Sequence, residues 1–412
     1  MVKVKPFKGV RPSLELAPKV ISPPYDVLDS DEARAMAAGN PYSFLHVNKP
    51  EIDLDPSIDL YDEQVYQKGK DNLERFIRDG ILVQDGERHF YIYRQVMNGH
   101  EQTGVVGCAS ADDYMEDRIK KHEFTRKDKE EDRIKLTYVQ NANAGPVFLT
   151  YQADAGIDQM VANIAGTTPD YDITTDDGVR HVLWVVKEPE LIGALESAFG
   201  DIPHVYVADG HHRSASGAKV RDWRKKENPN HTGDEEYNFF LAVFFPHDQL
   251  AIMAYNRVVK DLNGRSKGDF LAEIGEKFAV EKTGQKEPAG VHSYCMYLDG
   301  EWYTLTAKPA IINEGDPVKS LDVSILQENL LAPVLGIGDP RTDKRVNFVG
   351  GIRGTGELEK LVDSGRYAVA FSMYPTSIEQ LMSIADAGEV MPPKSTWFEP
   401  KLRSGLIVHL LD

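Results

Sequence analysis

The chain has 412 residues, of which 41% are hydrophobic and 27% charged, a composition typical of a soluble globular protein and not of a disordered, fibrous or membrane-spanning one. The 47 lysines and arginines against 65 aspartates and glutamates give a net charge of −18, which argues against nucleic acid or a membrane surface as a partner. Two distant cysteines, Cys108 and Cys295, indicate neither a disulfide framework nor a cysteine zinc site. We therefore expect a cytoplasmic protein from a reducing compartment.

In the first 260 residues, a proline-rich start gives way to regular elements. The first sixty residues predict only a short helix at 31–38, and an amphipathic helix follows at 61–79. Asn98-Gly99 joins two strand-like runs and predicts a hairpin. The densely charged segment 114–135 predicts a solvated helical face. Beyond residue 145 strands and helices alternate, with strands at 181–186, 205–208, 238–245 and 250–259 and helices at 189–199 and 214–226.

The remaining residues continue in a similar style. The patterns predict a hairpin around Asp299-Gly300, helices at 268–278, 321–331, 356–363 and 377–386, and strands at 345–349 and 367–373. Alternation of strands and helices predicts an α/β or mixed α+β fold. We expect a composite N-terminal domain at 1–265 and a C-terminal α/β domain at 266–412.

The strongest candidate for a functional site lies between a predicted strand and a helix that is predicted to open just after Arg213. The connection consists of Asp209, Gly210, His211, His212 and Arg213. Free N–H groups at a helix N-terminus favour phosphate, a glycine lets the backbone come close, and an arginine adds a bidentate fork. Either histidine would donate to phosphate or move a proton. We expect a phosphate-binding turn. The alternatives are a plain turn capped by the aspartate, and a metal site that needs further ligands from elsewhere.

Two residues near the N-terminus are further candidates. Pro23 and Pro24 stiffen the backbone before Asp26, which would act as a general base on a hydroxyl or hold magnesium. The alternative is a rigid surface turn whose aspartate caps the following helix. Arg11 is a candidate anion ligand with the same ambiguity.

Two more charged segments contain candidate site residues. Lys121, His122 and Glu123 cannot share one helical face, and a solvated surface explains their charges without any site. Near the C-terminus, prolines stiffen a segment with residue types suited to phosphate or metal-phosphate: Lys394, Ser395 and Thr396. The alternative there is a tail that straps across the surface.

Together these motifs resemble the domain-of-unknown-function 1015 family over essentially the whole chain. The motifs that carry the resemblance are Ser22-Pro23-Pro24-Tyr25-Asp26-Val27, Asn40-Pro41, Lys121-His122-Glu123-Phe124-Thr125, Ala208-Asp209-Gly210-His211-His212-Arg213, Leu321-Asp322-Val323 and Met391-Pro392-Pro393-Lys394-Ser395-Thr396. The turn from Asp209 to Arg213 also resembles the phosphate-binding turn of the ParB/sulfiredoxin-like superfamily, to which a free L-serine kinase belongs. The resemblance implies a nucleotide-binding core of that type, and it makes Asp26, Glu123 and Lys394 stronger site candidates.

The leading hypothesis that follows is a phosphotransferase on a small hydroxylated metabolite, with L-serine or phosphoserine as the substrate and ATP or ADP with magnesium as the cofactor. The turn would hold the phosphates, Asp26 or Glu123 would take the hydroxyl proton, and Arg11 and Lys394 would neutralise charge. Residues 391–412 would return to the site. One alternative is a phosphoserine phosphatase without nucleotide, in which His211 or His212 handles the proton. Another is a nucleotide-binding regulator. A homo-oligomer is compatible with each.

Overall fold

The computed structural model of the protein describes all 412 residues and confirms the expected mixed α/β class. The chain divides into two compact units: Met1–Leu250 together with Pro400–Asp412, and Ala251–Glu399. Each unit has its own sheet and helices, so the expected second α/β portion is present. The boundary predicted at residue 265 and the return of residues 391–412 to the site stay predictions.

The first unit contains most of the strands and helices. Its strands up to residue 250 are β1 (Val4–Lys5), β2 (Val10–Pro12), β3 (Leu82–Gln84), β4 (Phe90–Met97), β5 (His100–Ser110), β6 (Ile119–Lys120), β7 (Ala142–Asn143), β8 (Val147–Tyr151), β9 (Tyr171–Thr174), β10 (Arg180–Val186), β11 (Val205–Asp209) and β12 (Phe239–Pro246). Its helices are α1 (Ala17–Val20), α2 (Ser30–Ala37), α3 (Leu45–Asn48), α4 (Glu63–Arg78), α5 (Ala111–Met115), α6 (Lys127–Gln140), α7 (Ala155–Ala165), α8 (Pro189–Asp201) and α9 (His211–Glu227).

The second unit is smaller. Its strands are β13 (Ala251–Met253), β14 (Tyr255–Val259), β15 (Phe278–Thr283), β16 (Ser293–Leu298), β17 (Glu301–Ala307), β18 (Val346–Gly350), β19 (Val369–Met373) and β20 (Trp397–Glu399), and its helices are α10 (Lys267–Ile274), α11 (Asp322–Leu326), α12 (Gly354–Asp363) and α13 (Ile378–Asp386). Six of these strands form an antiparallel sheet in the order β15-β17-β16-β19-β14-β18. The last strand of the chain, β21 (His409–Leu410), belongs to the first unit, where it pairs with β7.

A nine-stranded mixed sheet forms the frame of the first unit, with the order β6-β11-β8-β12-β5-β4-β10-β9 and with β1 beside β5. Most pairs are antiparallel, but β6 runs parallel to β11 and β8 parallel to β12. Apolar side chains of the sheet pack with those of α7 and α8 into the main core, which includes Leu149, Leu195, Phe199 and Phe244. The helix α9 approaches β12 closely at Gly217, where an added Cβ would lie 2.8 Å from the Cβ of Phe240.

Several elements follow the sequence patterns closely. The hairpin of β4 and β5 turns at Asn98 and Gly99, both with positive φ, as an Asn-Gly turn between twisted strands requires. The helix predicted at 61–79 is α4, and Pro189 opens α8 as expected from its position. The run predicted as one strand at 250–259 is interrupted, and forms β13 and β14. None of the helices is both long enough and apolar enough to cross a membrane.

Two predictions that bear on the site are wrong. The segment 114–135 is not one solvated helical face, because β6 pairs with β11 inside it and draws the residues that follow against the sheet. His122 is consequently only 2% exposed. The helix predicted to open at Ser214 begins at His211, because Gly210 adopts a left-handed conformation that ends the strand and starts the helix within one residue.

Candidate phosphate-binding site

The turn between β11 and α9 depends on the backbone of Gly210. This residue has φ 95° and ψ 31°, a left-handed backbone conformation that residues with a Cβ rarely adopt. Its N–H donates to Asp209 Oδ1 (2.9 Å), and its carbonyl accepts from the Ser214 N–H (3.0 Å), which closes the first turn of the helix. The N–H groups of the first turn have no partner within the helix, as at any helix start. The first turn of the helix therefore favours an anion, and this turn carries the side chains of His211, His212 and Arg213.

Asp209 is neutralised by a lysine from the end of the chain. Lys401 Nζ lies 3.1 Å from Asp209 Oδ2, and the Lys401 carbonyl accepts from Gln95 Nε2 (3.0 Å). Burial acts to raise the pKa of Asp209, but the charges of Lys401 and Arg213 outweigh burial and hold this pKa well below its usual value. Asp209 is thus a stable carboxylate in an ion pair. The sequence did not predict this pair, because 192 positions separate the two residues.

Arg213 lies beside a small cavity of about 40 Å³ in the first unit. One end of its guanidinium donates to the Pro146 carbonyl, whereas its Nε is buried and has no hydrogen-bond partner. Asn48 Nδ2, also on the cavity wall, is likewise buried without a partner. About 10–15 Å³ suffices for one water molecule, so the cavity has room for a group of phosphate size. The other polar lining residues include Tyr25, Gln140, Asn143, Arg133 and Ser404.

A second arginine of the cavity wall is fixed by its neighbours. Arg133 pairs with Asp132 (2.6 Å) and stacks over the ring of Tyr25, with 4.1 Å from Cζ to the ring centre. Burial raises the pKa of the Tyr25 hydroxyl, so it stays protonated. The cavity therefore combines a fixed positive charge with donors that lack acceptors, an arrangement that suits an anion. Neither Tyr25 nor Arg133 was predicted, although Tyr25 stands in the Pro-Pro-Tyr-Asp motif.

His122 and His211 meet at the edge of the sheet. The parallel register places Ile119 opposite Val205 and Lys120 opposite Tyr206, so the residues after both strands emerge on the same side. The two imidazole rings lie edge to face with 4.5 Å between their centres. Burial lowers the pKa of His211 to about 4 and that of His122 well below its usual value, so both rings are neutral near pH 7. His122 is the main residue that the sequence analysis missed.

His212 lies at the more exposed side of the turn. Its Nε2 accepts a hydrogen bond from the Arg126 N–H (3.1 Å), which assigns the ring proton to Nδ1. Burial lowers the pKa of His212 below its usual value, although the carboxylates of Glu123 and Asp26 act in the opposite direction. Both predicted carboxylates thus lie close enough to His212 to act on its ring. Asp26 is exposed on the short helical turn Tyr25–Val27, and it does not cap the following helix, whose cap is Asp29.

The structure gives Arg11 partners of its own. Its guanidinium binds both oxygens of Asp85 (2.6 and 2.9 Å) and donates to the Tyr171 hydroxyl (3.0 Å). Tyr91 donates to the same aspartate (2.6 Å). Because a carboxylate already binds the guanidinium of Arg11, this arginine has a structural role. A role of Arg11 as an anion ligand stays a prediction.

The predicted C-terminal residues belong to the second unit. The Lys394 carbonyl accepts from Arg257 (3.1 Å), and its ammonium lies 5.5 Å from the ring centre of Tyr255. Ser395 is buried and donates to the Pro392 carbonyl (2.6 Å). Thr396 directly precedes β20. A part for these three residues in phosphate binding stays a prediction.

Comparison with known families decides the classification of this chain. The family described as a protein of unknown function, DUF1015, matches residues 4–324. The chain belongs to the DUF1015 family. This match spans the turn at Asp209–Arg213 and the segment of His122 and Glu123. A comparison of this DUF1015 protein with curated proteins found no match.

Solved structures resemble this DUF1015 protein distantly. A free serine kinase in complex with AMP has 14% sequence identity and a TM-score of 0.35, over 72% of this chain and 86% of that chain. A conserved hypothetical protein from Pyrococcus furiosus has 14% identity and a TM-score of 0.35, over 74% and 95%. SbnI with a C-terminal truncation, from Staphylococcus aureus, has 12% identity and a TM-score of 0.38, over 74% and 87%.

Proposed function

We propose that this protein is a phosphotransferase that moves a phosphoryl group between a nucleotide and a small hydroxylated metabolite. The observation that carries the proposal is Arg213, on the first turn of α9, with a buried Nε that lacks a partner beside a cavity of phosphate size. An unpaired buried donor on a cation is costly, and a phosphate oxygen would satisfy it. The free N–H groups of the same helical turn favour the same ligand.

The residues around the turn divide the chemistry between them. The metabolite hydroxyl attacks phosphorus, its proton passes to the carboxylate of Asp26 or Glu123, and the bond from phosphorus to the leaving oxygen breaks. Arg213 and the first-turn N–H groups stabilise the charge on the transferred group. His212, with its proton on Nδ1, donates to a phosphate oxygen and does not serve as the base, because its Nε2 already accepts from the Arg126 N–H. Asp209 stays paired with Lys401 and fixes the turn.

The cofactor and substrate follow from the same chemistry. The cavity has room for a phosphate-sized group and not for a nucleoside, so the phosphates of ATP or ADP would reach the turn while the base and ribose lie outside the cavity. Magnesium prefers carboxylate and phosphate oxygens, which the nucleotide and whichever of Asp26 and Glu123 does not take the hydroxyl proton would supply. L-serine or phosphoserine as the metabolite is suggested by the resemblance of the turn at Asp209–Arg213 to a superfamily that contains a free L-serine kinase.

Binding measurements on two matched arginine variants test the proposal. Arg213→Ala removes the fork, and we expect ADP, ATP or pyrophosphate to bind roughly 10- to 150-fold more weakly, which corresponds to about 1.5–3 kcal/mol for hydrogen bonds to a charged group. Arg224→Ala is the control, because Arg224 lies on the same helix, donates to the Tyr138 carbonyl (3.3 Å) and has an unpartnered Nε, but does not line the cavity. Equal affinity of both variants, measured by calorimetric titration, would refute the assignment of Arg213.

Turnover then distinguishes the proposed transferase from the alternatives. With ATP, magnesium and L-serine, the proposal expects phosphoserine and ADP in equal amounts, and the reverse reaction from phosphoserine and ADP. Release of inorganic phosphate from phosphoserine without nucleotide would identify a phosphatase instead. Tight nucleotide binding without turnover of any hydroxylated metabolite would favour a regulator.

A further inference from the structure

We infer that His122, Glu123 and His211 form a binding site for a divalent transition metal ion of the zinc or cobalt type. One ligand atom from each residue lies within 4.8 Å of the other two. Ligand atoms about 2.0–2.2 Å from a tetrahedral zinc ion are separated by roughly 3.3–3.6 Å, so rotation of the side chains by a small amount would bring the three atoms onto one ion.

The backbone brings these ligands together from two parts of the chain. His122 and Glu123 are the second and third residues after the short strand β6, and His211 is the second residue after β11. Because β6 and β11 run parallel with a fixed register, the two strand ends meet at one edge of the sheet. Two separate segments therefore converge, and His211 acquires from elsewhere the further ligands that a metal site at the turn requires.

The state of the imidazoles supports the assignment. Nε2 of His211 is buried without a hydrogen-bond partner, and neither nitrogen of His122 makes a hydrogen bond of normal geometry, although the backbone of Val207 lies close enough to favour a proton on that ring. The two side chains are 2% and 7% exposed, so water cannot readily replace the missing partners. A buried imidazole nitrogen that has no hydrogen-bond partner can offer its lone pair to a metal ion. Edge-to-face packing of the rings alone would leave these nitrogens unsatisfied.

The donor set selects the kind of metal. Two imidazoles and a carboxylate suit zinc, cobalt, iron or manganese, whereas magnesium and calcium prefer oxygen ligands throughout. Three protein ligands also leave coordination positions open for water or for an oxygen of a bound molecule. If Glu123 binds this ion, Asp26 is the carboxylate that remains for the hydroxyl proton. That consequence rests on the proposed phosphotransfer, but the metal site itself does not.

Metal titration of the full-length, chelator-treated protein without nucleotide tests the inference. We expect one equivalent of Co²⁺ to bind with visible absorption bands of imidazole coordination, Zn²⁺ to displace it, and Mg²⁺ not to compete. His122→Gln, His211→Gln and Glu123→Gln should each weaken binding by at least roughly tenfold. His231→Gln is the control, since His231 also lies near a carboxylate, 3.2 Å from Glu235, outside the cluster.

The outcomes separate this inference from the proposed function. Absence of saturable Co²⁺ and Zn²⁺ binding, or an affinity equal to wild type in both His122→Gln and Glu123→Gln, would overturn the metal site. The nearly isosteric Glu123→Gln keeps the test decisive if a buried histidine variant does not fold, as judged by circular dichroism. A protein that binds Zn²⁺ but no nucleotide would refute only the phosphotransferase, and one that binds nucleotide but no Zn²⁺ would refute only this site.

Discussion

Replacement of Gly210 by alanine tests the geometry of the turn directly. At φ 95° the backbone of any residue with a Cβ is strained, and we expect Gly210→Ala to lose about 1–3 kcal/mol in the free energy of unfolding. The added Cβ would lie 3.2 Å from Arg213 Nε, so the guanidinium must also shift by a few tenths of an ångström. Gly193→Ala is the matched control: Gly193 lies in the exposed interior of α8 with no atom within 4 Å of an added Cβ, and alanine there should stabilise by about 0.5–1 kcal/mol.

Gly210→Ala should therefore be less stable than wild type and Gly193→Ala more stable, and their free energies of unfolding should differ by about 1.5–4 kcal/mol. Urea unfolding followed by circular dichroism measures this difference, and pyrophosphate titration shows whether the shifted guanidinium also weakens anion binding. Gly210→Asn should be less destabilised than Gly210→Ala, because asparagine tolerates the left-handed region better. If Gly210→Ala proves as stable as Gly193→Ala, Gly210 does not have the left-handed conformation.

Two further changes test the surroundings of the site. Asp85→Asn leaves the largely buried guanidinium of Arg11 without its carboxylate and should cost about 3 kcal/mol of unfolding free energy, whereas an effect below about 1 kcal/mol would mean that the pair is solvated. The pKa of His46 is raised by its hydrogen bond to Asp53, whose own pKa is lowered by the same contact although burial opposes this. The hydrogen bond to the charged His46 therefore stabilises the fold fully below the pKa of a histidine in the unfolded chain, and this stabilisation is lost as the pH rises through the pKa of His46 in the folded protein. In urea unfolding, His46→Gln should lose roughly 0.5 kcal/mol more of the free energy of unfolding at pH 6 than at pH 8.5. A pH-independent difference would contradict this sign.

Local patterns in the sequence predicted local structure well. Asn98-Gly99 specifies its hairpin because the turn needs positive φ at both positions, and those residues adopt it at little cost. The amphipathic pattern of α4 likewise needs no distant information. The start of α9 was predicted three residues too late, because the left-handed conformation of Gly210 lets strand and helix meet with a single residue between them.

The sequence by itself determined that Gly210, His211 and Arg213 stand on a strand-to-helix turn, because their order along the chain places them there. Only the tertiary structure decided which residues join them. His122 meets His211 through the parallel pairing of two strands 86 positions apart, and its charged neighbours in the sequence gave no sign of its burial. Lys401 reaches Asp209 from the end of the chain. Such partners depend on sheet order and register, which follow from packing of the whole unit and not from the residues on either side.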